Sequence, residues 1–122
     1  MYINGIWTAA SPEASFDVIN PADGSVLSQV YDGGADAARD AIEAAADAFR
    51  SWSKTTAYER SQILYRAYQL MVERKEDLAQ TMTLEQGKPL RAARTEVQYG
   101  ADFLLWFAEE AKRIYGETIP SA

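Results

Sequence analysis

Few residues in this sequence have a type and spacing that chemistry could use. Gly87-Lys88 has the outline of a phosphate loop's end. No glycine precedes it at the required interval, and Pro89 stands where a Ser or Thr is needed. No G-x-G-x-x-G occurs, so there is no dinucleotide fingerprint. Glu109 and Glu110 are adjacent acids on an expected helix. Neighbours on a helix diverge by about 100°, so the two present different faces and read as solvated charges. Glu85 closes an apolar run just before a helix stop, either as a buried anchor or as a last-turn charge. Tyr99, Phe103, Trp106 and Phe107 form an aromatic band at helical spacing, a pattern more often core than pocket.

The absences are informative. The sequence contains no Cys and no His. A disulfide framework, a Cys or Cys/His zinc site, a thiol nucleophile and a His general base are all excluded within it. No metal ligand set and no catalytic residue is assigned. The net charge of −6 is carried by residues 1–50, where eight acids face Arg39 and Arg50; the remainder balances. There is no basic stripe to neutralise phosphates, so no nucleic-acid partner is expected. No charged segment followed by an apolar run marks a signal peptide, and no apolar stretch is long enough to span a membrane. A soluble cytoplasmic protein with no membrane association is the expectation.

The elements follow from pattern. Asn4-Gly5, between Tyr2-Ile3 and Ile6-Trp7, is a tight hairpin signal because both turn positions tolerate positive φ. A small or polar connector with Pro12 follows. Residues 16–20 read as a strand, Pro21-Ala22-Asp23-Gly24 as a turn, and residues 26–31 as the return strand. That strand alternates Val26, Ser28 and Val30 against Leu27, Gln29 and Tyr31. After Asp32-Gly33-Gly34 the period becomes helical. Ala38, Ile42, Ala45, Phe49 and Trp52 form the stripe of an alanine-rich first helix, with Asp36 as its expected N-cap.

Thr56-Ala57-Tyr58-Glu59 is a capping box opening a second helix. Ile63, Leu64, Ala67, Leu70 and Met71 give its buried face, and Arg60, Arg66, Glu73 and Arg74 its wet one. Lys75-Glu76-Asp77 reads as a break, after which a helix continues to Gln86. Gly87 and Pro89 end it. The last helix is expected from about Leu90 to Tyr115, stopped by Gly116. Its seam is Val97, Ala101, Leu104, Ala108, Ala111 and Tyr115. The aromatic band widens that seam, so burial on more than one side is expected. Glu109 and Arg113 have the favourable i,i+4 order, worth about 0.2–0.5 kcal/mol.

The resulting fold class is α+β: short antiparallel strands and hairpins, then three to four packed helices. The expected division is an N-terminal β segment at 1–34, a helical segment at 35–116 and an extended segment starting at 117–122.

Five ordered segments carry a resemblance. They are Tyr2-Ile3-Asn4-Gly5-Ile6-Trp7, Val18-Ile19-Asn20-Pro21-Ala22-Asp23-Gly24, Thr83-Leu84-Glu85-Gln86-Gly87-Lys88-Pro89-Leu90, Trp106-Phe107-Ala108-Glu109-Glu110-Ala111-Lys112-Arg113 and Tyr115-Gly116-Glu117-Thr118-Ile119-Pro120. Together they resemble the N-terminal region of the aldehyde dehydrogenase superfamily, and the last two most resemble its succinate-semialdehyde dehydrogenase branch. The resemblance implies a truncated part of the larger α/β aldehyde dehydrogenase fold and the NAD(P)-dependent oxidation of an aldehyde to a carboxylic acid. In the family a Cys thiolate attacks the aldehyde, hydride passes to the nicotinamide, and a Glu activates water against the thioester. Those groups have no counterpart among these residues. The chain is therefore expected to be inactive alone and to bind no cofactor by itself, NAD or NADP belonging to the full-length family.

The resemblance implies one site contribution, a wall of the substrate tunnel at Tyr99, with Thr95 and Phe103 one turn to either side. Two functional readings follow: an N-terminal fragment of such a dehydrogenase, or a non-catalytic helical module for self-association or partner binding. The partners expected are further copies of the chain or the remainder of the parent enzyme.

Overall fold

The computed structural model describes residues 1–8 and 14–121. The elements are β1 (Tyr2–Ile3), β2 (Ile6–Trp7), β3 (Ser15–Ile19), β4 (Val26–Tyr31), α1 (Gly34–Trp52), α2 (Ala57–Glu73), α3 (Lys75–Gln86) and α4 (Leu90–Glu110). A 3-10 turn at Ala111–Arg113 follows α4. Short antiparallel strands followed by four helices is the α+β class expected. The connector with Pro12 lies outside the described residues. Two compact units form. One is Met1–Lys54 with Thr81–Lys88, and the other is Thr55–Gln80 with Pro89–Ala122.

In the first unit, β1 and β2 pair Tyr2 with Trp7 and Ile3 with Ile6. Asn4 and Gly5 take φ of 50° and 78°, the positive values that a two-residue turn of this hand requires. The Tyr2 and Trp7 rings lie 5.2 Å apart across the pair. β3 and β4 are antiparallel, with Phe16 opposite Val30 and Asp17 opposite Gln29, and a bulge between Val18 and Ile19. The Gln29 side-chain amide donates to Asp17 at 2.9 Å, fixing that register. In the turn, the Asp23 carboxylate accepts from the Ser25 hydroxyl at 2.7 Å and the Ser25 amide at 2.9 Å. These two bonds hold the Asp23 carboxyl below its ordinary range.

α1 begins earlier than its acids suggest. Asp36 is not the N-cap: the cap is Gly33, which makes no side-chain bond, and Asp36 sits in the first turn paired with Arg39 at 2.9 Å. The cause is Gly34, whose φ of +55° lets the chain turn into the helix three residues sooner. Asp36 still favours the helix dipole from there. The stripe of Ile42, Phe49 and Trp52 is exposed, and the partial burial on α1 falls at Ala37 and Ala44. The end of α3 also lies in this unit. There Gly87 has φ +70°, and a Cβ built on it would come within 3.0 Å of Pro21 Cγ. The helix stop thus uses glycine both for its backbone angle and for a close approach.

In the second unit the Thr56 hydroxyl accepts from the Glu59 amide at 3.2 Å, and Glu59 accepts from the Thr56 amide at 2.7 Å. The capping box is complete. α2 ends at Glu73, with Arg74 as its cap, and Lys75 already begins α3. The expected break at Lys75-Glu76-Asp77 therefore falls at Arg74, because the two acids serve the positive end of α3 instead. α4 buries Ala93, Val97, Ala101 and Ala108. Small side chains allow close helix approach, and α2 answers with buried Ser61 and half-buried Leu64, Ala67, Leu70 and Met71. Ile63, expected inside, is exposed, while Arg60, expected wet, is half-buried and donates to the Thr55 hydroxyl.

α4 stops at Glu110, five residues short of the expected Tyr115. The 3-10 turn that follows brings residues three apart into line, so Arg113 pairs with Glu110 and not with Glu109. Tyr115 leaves the seam and is exposed. The aromatic band is also exposed, at 45–63% for Tyr99, Phe103, Trp106 and Phe107. The expectation that this band is core fails for the described residues. α4 is buried along its alanine seam only.

Candidate functional site: a groove on the outer face of α4

The residues expected to line a path lie on one run of α4. Thr95 and Tyr99 line a shallow groove of about 720 Å³ together with Pro89, Arg91, Ala92 and Glu96. Its walls are largely apolar. Spacing of four and eight residues along one helix accounts for the alignment of Arg91, Thr95 and Tyr99. The Thr95 hydroxyl donates to the Arg91 carbonyl at 3.2 Å, so it turns back along the helix and leaves its methyl for the groove. Phe103 does not line the groove. Its ring meets Tyr99 edge-on, centroids 4.7 Å apart at 77°, and stacks on Phe107 at 6.5 Å. Such edge contacts favour a defined ring orientation, so Phe103 sets how Tyr99 stands.

The sequence reading missed Arg91. The signal was its place one turn before Thr95, on the same face. The other candidates stay apart. Glu85 is exposed, which is the last-turn reading and not a buried anchor. Glu109 is exposed and Glu110 is taken up by Arg113, so the acidic pair does not converge.

A dinucleotide's pyrophosphate needs a helix start with open amides and no competing anion. The start of α2 is occupied by the Glu59 carboxylate. That of α1 is flanked by Asp32, which accepts from the Gly34 amide at 3.3 Å, and by Asp36. Neither of these two helix starts fits such a group. Among the described residues, no cluster of three or more Asp, Glu, His or Cys is placed to hold a metal ion. Nor is any described helix long and apolar enough to cross a membrane.

The aldehyde dehydrogenase family matches residues 7–122. The NADP-dependent succinate-semialdehyde dehydrogenase of Escherichia coli K12 is 52% identical over 118 residues, covering 97% of this chain and 24% of that protein. The 3-sulfolactaldehyde dehydrogenase of Pseudomonas putida is 49% identical over 119 residues, covering 98% of this chain and 24% of that protein. The crystal structure of an E. coli NADP-dependent enzyme superposes with a TM-score of 0.93 at 52% identity, over 98% of this chain and 25% of that one. The chain thus spans about a quarter of the length of the relatives it matches, and that quarter is their N-terminal one. With the family match running over nearly all of its residues, the chain belongs to the aldehyde dehydrogenase family.

Proposed function

We propose that this chain is the N-terminal part of an NAD(P)-dependent aldehyde dehydrogenase that oxidises a short semialdehyde to a carboxylic acid. In this reading α4 walls the path by which the aldehyde reaches the reaction centre, with Thr95 and Tyr99 on the wall and Phe103 bracing Tyr99. The observation that carries it is the agreement of fold and sequence with the E. coli enzyme at a TM-score of 0.93 and 52% identity. The apolar groove at Thr95 and Tyr99 supports the placement of the path.

The chain has no Cys. The thiol nucleophile, the general base and the nucleotide site are supplied by other parts of the enzyme, and the 122 residues alone are inactive. NAD or NADP, when bound there, accepts the hydride. The E. coli relative is named for NADP. The enzyme works as an oligomer in the cytoplasm. The test is a chimaera in which this chain replaces the matching N-terminal quarter of the E. coli enzyme. Oxidation of succinate semialdehyde with NADP is expected. A folded chimaera without turnover would overturn the reading.

A second reading has its own support. Tyr99, Phe103, Trp106 and Phe107 expose a continuous aromatic face, and such faces mark association. Kept apart from the rest of an enzyme, the chain associates with itself through this face.

A further inference from the structure

We propose that the groove where α2 meets the end of α4 is a second binding site, and that it takes a small aromatic carboxylate. The ring lies between Tyr58 and Tyr65 over the Ser61 hydroxyl, and the carboxylate meets Arg66 and Lys112. This groove is separate from the one at Tyr99. Nine positions at about 100° each set Ala108, part of its lining, on the opposite side of α4 from Tyr99. The site is built from α2, α4 and the turn after α4, so it stands whether or not the chain works in a dehydrogenase.

Four observations carry it. First, Ser61 is only 3% exposed, yet its hydroxyl has no hydrogen-bond partner among the described residues. Thr83 Oγ1 is the one described side-chain oxygen that is both sealed and unpartnered, so the Ser61 oxygen keeps some access, and Ser61 lines the groove. A hydroxyl so placed finds its bond in what enters the groove. Second, Tyr58 and Tyr65 line the same groove two turns apart, about 10.5 Å along α2. A third ring midway stands about 5 Å from each, inside the roughly 4.5–7 Å range of aromatic pairs. Both tyrosines are exposed, so neither ring is taken up by the core, and Tyr68 braces Tyr65 at 5.9 Å. Third, Arg66 comes to the groove from α2 and Lys112 from the 3-10 turn, and neither makes an ion pair among the described residues. Against the single carboxylate on the lining, Glu109, they leave a net positive charge. The Arg66 fork suits a planar carboxylate. Fourth, the groove holds about 310 Å³. That is close to the lower bound of about 300 Å³ for small-molecule sites, which suits one ring with a small group and not a dinucleotide.

The full chain, labelled with nitrogen-15 and kept below any concentration at which it associates, is titrated with benzoate. Acetate, which has the charge and no ring, and benzyl alcohol, which has the ring and no charge, are titrated in parallel. Benzoate is expected to shift the Ser61, Tyr65 and Ala108 amides, and the other two to leave them in place at the same concentrations. Arg66→Gln together with Lys112→Gln should weaken benzoate binding on the order of tenfold. Both positions are exposed, so circular dichroism should show unchanged helix content. Ser61→Ala, which keeps the small side chain and removes the hydroxyl, should weaken binding a few-fold, and Arg91→Gln on the outer groove should not change it. Absence of the three shifts, equal shifts with acetate or benzyl alcohol, or full affinity in the double variant would overturn the proposal. Shifts confined to Thr95 and Tyr99 would put the carboxylate on the outer groove and overturn it as well.

Discussion

Arg94 on α4 grips Glu76 at the start of α3 with two bonds, Nε donating to one carboxylate oxygen at 2.8 Å and Nη2 to the other at 2.7 Å. This two-pronged hold, aided by Gln80, lowers the Glu76 pKa from an ordinary 4.5 to about 2. A depressed carboxyl contributes stability above its ordinary pKa and loses it as pH falls from 4.5 towards about 2. The stability gap between the native chain and Glu76→Gln should therefore be largest above that window and close as pH falls through it. Both side chains are about half exposed, so the gap should also shrink with salt. Thermal melts by circular dichroism across pH measure it. A gap independent of pH would contradict the assignment.

The capping box at the start of α2 gives a second expectation. Thr56→Ala removes the hydroxyl that accepts from the Glu59 amide and should cost about 1 kcal/mol. Thr56→Ser should cost little. Urea unfolding at neutral pH separates the two, and equal losses would show that the hydroxyl is not the active element.

Adjacent positions on α4 should respond with opposite sign. Ala101 is fully buried in the small-residue seam, so Ala101→Leu overpacks it and should cost about 1–3 kcal/mol. At Gly100 an added Cβ would meet Met71 Cε at 3.5 Å, an ordinary contact. Gly100→Ala should then gain up to about 1 kcal/mol from helix propensity. The same urea measurement reads both, and destabilisation by Gly100→Ala would mean that the helices sit closer than the structure shows.

The parts of this fold that were legible in sequence are those set by local chemistry. Asn4-Gly5, the Thr56–Glu59 box and Gly87 each act within a few residues, and each stands where its chemistry requires. What was not legible depends on competition between neighbours or on tertiary contact. Asp36 lost the cap because Gly33-Gly34 opened the helix first. Arg113 chose Glu110 because the chain tightened to a 3-10 turn, which no periodicity announces. Spacing marked the faces of α1 and α4 as apolar but not what covers them, so Ile42, Phe49 and Trp106 read as core and stand exposed. On the candidate site, Thr95 and Tyr99 are expectations of the resemblance, and the structure sets both on one groove. One arginine on a helix carries no motif, so the place of Arg91 on that groove is visible only in the structure.

The exposed aromatic face predicts behaviour in solution. The chain should associate as its concentration rises, and Trp106→Ser with Phe107→Ser should suppress this while leaving helix content intact. Light scattering with circular dichroism checks it. A native chain that stays monomeric at high concentration would contradict the self-association reading.

The central claim is that these residues form a working part of an aldehyde dehydrogenase. Its most direct test is the rate of NADP reduction with succinate semialdehyde by the chimaera carrying this chain in place of the E. coli enzyme's N-terminal quarter. The account predicts turnover, with none from the 122 residues alone. A chimaera that folds and assembles but reduces no NADP would contradict it.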